Sequence, residues 1–166
     1  MKEILNKISS YNLFNNLLPG ILFVYLSKEF TEFNFIQDSE LIGAFVYYFI
    51  GMVISRFGSL IIEPILKYFS IIKFKEYNYY FSASKKDEKL ELFLEINNTF
   101  RTITALFVIL LLLKLYGYFQ IILNIPTDVT SLILIISGLI IFIFSFRKQT
   151  NYISKRIDAN NDINNA

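Results

Sequence analysis

Arg56 and Glu63 are the residues in this chain whose type and place first invite chemistry. Arg56 lies well inside a long apolar stretch, where a charge costs roughly 2.5–3.5 kcal/mol on insertion scales. Glu63 follows about two helical turns later, on nearly the same face, so the two are placed to pair within a chain or between copies. Two readings of Arg56 stand at this point. Either it lines or gates a polar path through a membrane, or it extends its guanidinium to the nearby interface. Asn12, Asn15 and Asn16 sit in the first apolar segment, where they either line the same path or hydrogen-bond across helices. Lys114, close to the end of another apolar block, reads as a snorkelling cation.

The segment that holds Arg56 also carries Gly43, Tyr47, Gly51, Ser55, Ser59 and Glu63 at a uniform spacing of four. Gly51, Ser55 and Ser59 form a ridge of small side chains that lets another helix come close. That ridge serves packing inside the chain, contact between copies, or both. A second group is basic: Lys73, Lys75, Lys85, Lys86 and Lys89, interleaved with Tyr77, Tyr79 and Tyr80. It is suited to anionic lipid or to a protein partner, or it is a solvated loop that sets topology.

What is missing narrows the chemistry further. The chain of 166 residues has no Cys, no His and no Trp. Thiolate chemistry, Cys-based metal sites and the commonest general base are therefore absent. No phosphate-binding Gly-rich loop, no nucleophile beside a base and no carboxylate pair within a span is present. An enzyme is not expected, nor is a cofactor or metal. A net charge of +2 gives no reason to expect nucleic acid.

The elements that position these residues are long apolar blocks with the charges gathered between them. The pattern predicts an all-α integral membrane protein, a single domain of four transmembrane helices. The spans fall at about 11–30, 41–63, 102–122 and 129–146, with a soluble connection at 67–101 and a tail at 147–166. The first block is the weakest. Ile4, Ile8, Tyr11, Phe14 and Leu18 recur at helical spacing opposite a polar stripe that includes Asn12 and Asn16. This fits an interfacial helix that turns into the bilayer at Pro19 and Gly20, or a spanning helix whose Asn stripe faces the bundle. Pro64 predicts that the second helix ends or bends at Glu63. Ser84 with Asp87 resembles a capping box ahead of a helix from about Lys85 that continues into the third span. No cleavable signal peptide is expected.

Charge sets the orientation. Residues 27–40 and 119–130 are poor in Lys and Arg, whereas the N-terminus, 67–101 and the tail are rich in them. Four crossings put every basic piece on one side, which predicts both termini in the cytoplasm of a bacterial inner membrane; without the first span only Lys2 and Lys7 would fall outside, so three crossings stay open.

The stretches YNLFNNLLPGILF (11–23), GMVISRFGSLIIEP (51–64) and SKKDEKLELFLEINNTFR (84–101) resemble small multi-pass bacterial membrane proteins of phage-defence loci. The membrane accessory proteins of type VI-B CRISPR systems are comparable. The resemblance implies a membrane-perturbing or signal-receiving subunit controlled by a cytoplasmic partner, although no nucleotide-sensing domain is present. The leading expectation is a homo-oligomeric membrane effector or channel with Arg56 and Glu63 in its path. The second is an anchor that recruits a soluble protein through 67–101 and conducts nothing. A small transporter is a third, disfavoured because no inverted repeat is visible.

Overall fold

The structure, a computed structural model, describes residues 13–164 and the side chains of residues 15–161. Lys2, Lys7 and Asn12 lie outside the described residues. Within them the chain is all helix, with no strand. A π-turn at Leu13–Leu17 runs into α1 (Leu18–Phe30), followed by α2 (Glu40–Tyr68), α3 (Tyr77–Ser84), α4 (Lys89–Ile122) and α5 (Thr127–Asn164). α2, α4 and α5 are each long and apolar enough to cross a membrane. The π-turn and α1 together rise roughly 25 Å, a little short of the ~30 Å of hydrocarbon in a bilayer.

The long helices alternate in direction, so one end of the bundle carries 31–39 and the α4–α5 turn, and the other carries 69–88. At the first end, Ser39 caps α2 by accepting from the Ile42 N–H at 3.5 Å. Ser27 Oγ donates to the Phe33 carbonyl at 2.9 Å and folds 31–35 back over the bundle. Phe35 then stacks on Phe23, with ring centres 6.1 Å apart. The α4–α5 turn passes through Asn124 at φ 50, and Tyr116 meets the Thr130 hydroxyl at 2.8 Å across it.

The prolines do not end their helices. Pro19 and Pro64 each follow two residues after a π-turn, Leu13–Leu17 and Gly58–Ile62. A proline lacks the N–H that closes a helical turn and its ring crowds the carbonyl four residues back. Widening the preceding turn removes the clash, and the helix continues. α2 therefore runs unbroken to Tyr68 rather than stopping at Glu63. α1 likewise passes straight through Pro19 and Gly20, with Asn15 and Asn16 buried in the bundle. Asn16, which belongs to the polar stripe of this segment, faces inward.

Packing inverts the order of hydropathy. α1, the weakest apolar block, is held most closely, because Gly20 and Gly51 bring its backbone against α2. A Cβ at Gly51 would run into the Asn16 carbonyl, and one at Gly20 into the Tyr47 carbonyl. Phe23, Val24, Ile54, Ile62, Ala105, Leu106 and Leu110 fill the core where α1, α2 and α4 meet. α5, the cleanest apolar block, is the least packed. Only 11% of its spanning window is buried, against 33% for α2. Leu132, Ile135, Leu139 and Phe146 are exposed.

α4 and α5, of 34 and 38 residues, exceed the ~20 that a bilayer needs, and both project past α2 at the 69–88 end. The expected end of the last span at residue 146 is thus no helix end, and the tail continues the same helix. α3 packs between the two projections. Phe81 and Ala159 are buried there, and Lys85 lies over the Phe81 ring at 4.6 Å while reaching Asn160 at 3.5 Å. Burial, then Glu91 and Tyr77, push the Tyr80 phenol up against a smaller opposing effect of Arg156. The α4 helix runs on unbroken from Lys89, as the sequence suggests, but the capping box does not form. Ser84 Oγ donates to the Phe81 carbonyl, and Asp87 instead accepts the Lys89 N–H at 2.9 Å.

The glycine crossing gives a direct test. Gly51→Leu should lower the stability of the detergent-solubilised protein by about 3 kcal/mol or more, because a backbone carbonyl cannot move aside. Gly138 has nothing within 4 Å of its built Cβ, so Gly138→Leu should stay within about 0.5 kcal/mol of the parent. Thermal unfolding of both variants decides, and equal melting temperatures would dismiss the close crossing.

Candidate functional site

The charged residues of the bundle converge on Glu63, which is 7% exposed. Its Oε1 accepts from Lys67 Nζ at 2.6 Å, one turn along α2. Its Oε2 accepts from Arg101 NH1 on α4 at 3.0 Å, and Lys148 Nζ on α5 stands 4.0 Å away. One carboxylate therefore ties α2 to both α4 and α5.

The backbone explains why Lys148 comes here. In the π-turn the Glu63 N–H bonds the Gly58 carbonyl rather than that of Ser59. The next N–H that would serve Ser59 belongs to residue 64, which is proline and has none. Lys148 Nζ fills the gap, donating to the Ser59 carbonyl and to Ser59 Oγ, both at 2.7 Å. A buried carbonyl left without a donor costs about 1–3 kcal/mol, so this contact is structural as well as electrostatic.

Arg56 is not part of the ion cluster. The direct pair with Glu63 expected from their spacing is not formed, because Lys67, Arg101 and Lys148 occupy the carboxylate. Arg56 is exposed and makes no ion pair among the described residues. It stands between two cavities. One, of ≈ 20 Å³, lies against Ser59, Ser145 and Lys148. The other, of ≈ 270 Å³, is lined by Asn15, Asn16, Ser55, Arg56, Asn98 and Arg101, with Tyr48 and Met52 as its apolar wall.

The remaining expected residues fall into four places. Gly51, Ser55 and Ser59 are buried inside the chain, so the small-residue ridge packs this chain's own helices and is not a free surface for another copy. Asn15 and Asn16 reach the larger cavity; Asn12 lies outside the described residues. Lys73, Lys75, Lys85, Lys86 and Lys89 are all exposed at the far end and contribute nothing to the cavities. Lys114 lies over the Tyr118 ring at 5.5 Å, apart from the cluster.

Arg101 and Lys148 are the residues that sequence reading passed over. Both were visible as the cations that flank the third and fourth apolar blocks at the basic end. Glu63 closes the second block at that same end, so an antiparallel bundle must bring all three to one depth. Their role as topology markers concealed their role as partners.

Glu63→Ala should destabilise the solubilised protein by about 3 kcal/mol, since it strands Arg101 and Lys148 in a partly buried site. Lys148→Met should cost less, about 1–2 kcal/mol, because Lys67 and Arg101 still hold the carboxylate. The measurement is unfolding in graded denaturing detergent. A smaller loss for Glu63→Ala than for Lys148→Met would remove Glu63 as the hub.

Comparison with protein-family models, with curated proteins and with solved structures finds no match for this chain, so the reading of the site rests on its own geometry.

Proposed function

We propose that this chain is a subunit of a homo-oligomeric, channel-like effector of the bacterial inner membrane, acting in anti-phage defence under the control of a cytoplasmic partner. The observation that carries the reading is the polar tract of Arg56, Asn15, Asn16, Ser55 and Arg101 within helices otherwise built for lipid. Intramembrane charge usually faces a bundle interior or a water-filled cavity. Copies arranged around a common axis would extend the tract into a continuous path.

Two further observations support it. α5 presents apolar side chains on all sides and is scarcely covered by its own chain, as suits a helix that meets lipid or a second copy. The alternating helices also gather the basic segments at one end, which favours four crossings with both termini cytoplasmic. The defence setting comes from the resemblance of the stretches 11–23, 51–64 and 84–101.

A specific observation favours a second reading, a non-conducting anchor. α3 and the projecting ends of α4 and α5 form a platform with Lys73, Lys75 and Lys86 exposed on it. Such a surface suits an acidic protein partner.

Membrane potential separates the two. Inducible expression in bacteria carrying a voltage-sensitive dye should depolarise the cells. Arg56→Ala should remove most of the signal at matched membrane levels, because Arg56 carries no fold-stabilising ion pair. Persistent polarisation, even with the neighbouring genes co-expressed and triggered, would leave the anchor, whose partner should then be released by Lys73→Gln, Lys75→Gln and Lys86→Gln together.

A further inference from the structure

The larger cavity is built for an anion. Two arginines line it from different helices, Arg56 from α2 and Arg101 from α4, and no carboxylate lines it among the described residues. Glu63 does not neutralise the pair, since it engages one NH group of Arg101 and also holds Lys67. Arg101 Nε is buried without an acceptor among the described residues. Asn15 is 8% exposed, and its Oδ1 is likewise buried without a partner. A half-turn of that amide presents two N–H donors instead. The Ser55 hydroxyl adds a further donor on the α2 side.

This set matches a phosphate group: several oxygens, negative charge, and a geometry that planar guanidinium forks meet bidentately. The size agrees. At ≈ 270 Å³ the cavity falls just below the ~300–1,000 Å³ of sites for drug-sized ligands, so it suits a headgroup rather than a large cofactor. Tyr48 and Met52 form an apolar flank on α2, one of the helices long and apolar enough to lie in a bilayer, where acyl chains would follow.

We propose that this cavity binds a phosphate group, carried by an anionic phospholipid or supplied as free phosphate, between Arg56 and Arg101. The site goes beyond the conducting role and stands without it. Ligand binding is read on purified protein, where conductance plays no part.

The full chain, purified in a neutral detergent, is titrated with dioleoyl phosphatidylglycerol, with dioleoyl phosphatidylcholine and with inorganic phosphate. Binding is followed by native mass spectrometry and by thermal shift. Phosphatidylglycerol should bind and raise the melting temperature, and phosphatidylcholine should bind more weakly. Arg56→Ala should weaken the binding about tenfold, the loss of one charge-assisted contact, and Arg56→Lys should recover part of it. Lys155→Ala, an exposed cation on α5 away from the cavity, should change nothing. Binding of inorganic phosphate alone, with the same dependence on Arg56, assigns the site to the free anion. Phosphatidylglycerol binding that excess phosphate does not displace assigns it to lipid. Binding that Arg56→Ala leaves unchanged, or no binding of either probe, overturns the proposal. Arg101 is left intact because its loss would also release Glu63.

Discussion

A buried carboxylate cannot stay charged without partners, and in this bundle that constraint organises three helices. Glu63 takes Lys67 from its own helix, Arg101 from α4 and the approach of Lys148 from α5. Pro64 sharpens the arrangement. By denying the Ser59 carbonyl its helical donor, it creates a second acceptor beside the carboxylate, and Lys148 binds there. The proline and the π-turn are thus not a defect that α2 tolerates. They convert a self-satisfied stretch of helix into a docking point for another one. Removing one member of a buried, hydrogen-bonded ion cluster costs far more than forming the cluster gains, so its effect is on which helices meet and at what depth.

The second constraint is steric. Between transmembrane helices lipid removes the hydrophobic drive, and close approach of backbones takes its place. α1 and the π-turn before it show the consequence: their Asn, Gly, Pro and Ser residues depress the hydropathy, yet the backbone reaches α2 at Gly20 and Gly51. α5 is the opposite case. Its branched and aromatic side chains suit lipid on every side but hold no partner's backbone close, and it is fastened at Lys148, at the Phe49–Phe142 ring contact and against α3. Suitability for lipid and closeness of packing are therefore separate properties of these sequences, and in this chain they run in opposite order.

Much of the architecture was legible for that reason, and part of it was not. The helical class and the three membrane-length helices among the described residues follow from charges confined between apolar blocks. Apolar blocks mark spans, however, not helix ends. Phe146 ends an apolar block but not a helix, since polarity marks the edge of lipid and leaves the backbone hydrogen bonds of residues 147–164 untouched. α2 was expected to end or bend at Glu63 because Pro64 follows it, and the π-turn at Gly58–Ile62 lets the helix continue. For the site, the spacing of Arg56 and Glu63 suggested a pair, because spacing along one helix is all that a single segment reveals. The partners that matter come from other helices at the same depth, and their choice depends on a carbonyl that only the π-turn exposes.

Charge then leaves a remainder that the fold does not cancel. Around Glu63 stand Lys67, Arg101 and Lys148, and Arg56 lies about two turns before it on α2. Lys67 is more than two-fifths exposed and reaches outward, so solvent screens it. Arg101 and Lys148 share the carboxylate. Arg56 is left over, against two cavities and exposed, so that solvent screens its charge as it screens that of Lys67. The excess of positive charge is thus a property of the folded arrangement, not of the composition. The whole chain is nearly neutral at +2, and it is the gathering of helix ends around Glu63 that concentrates the imbalance at Arg56.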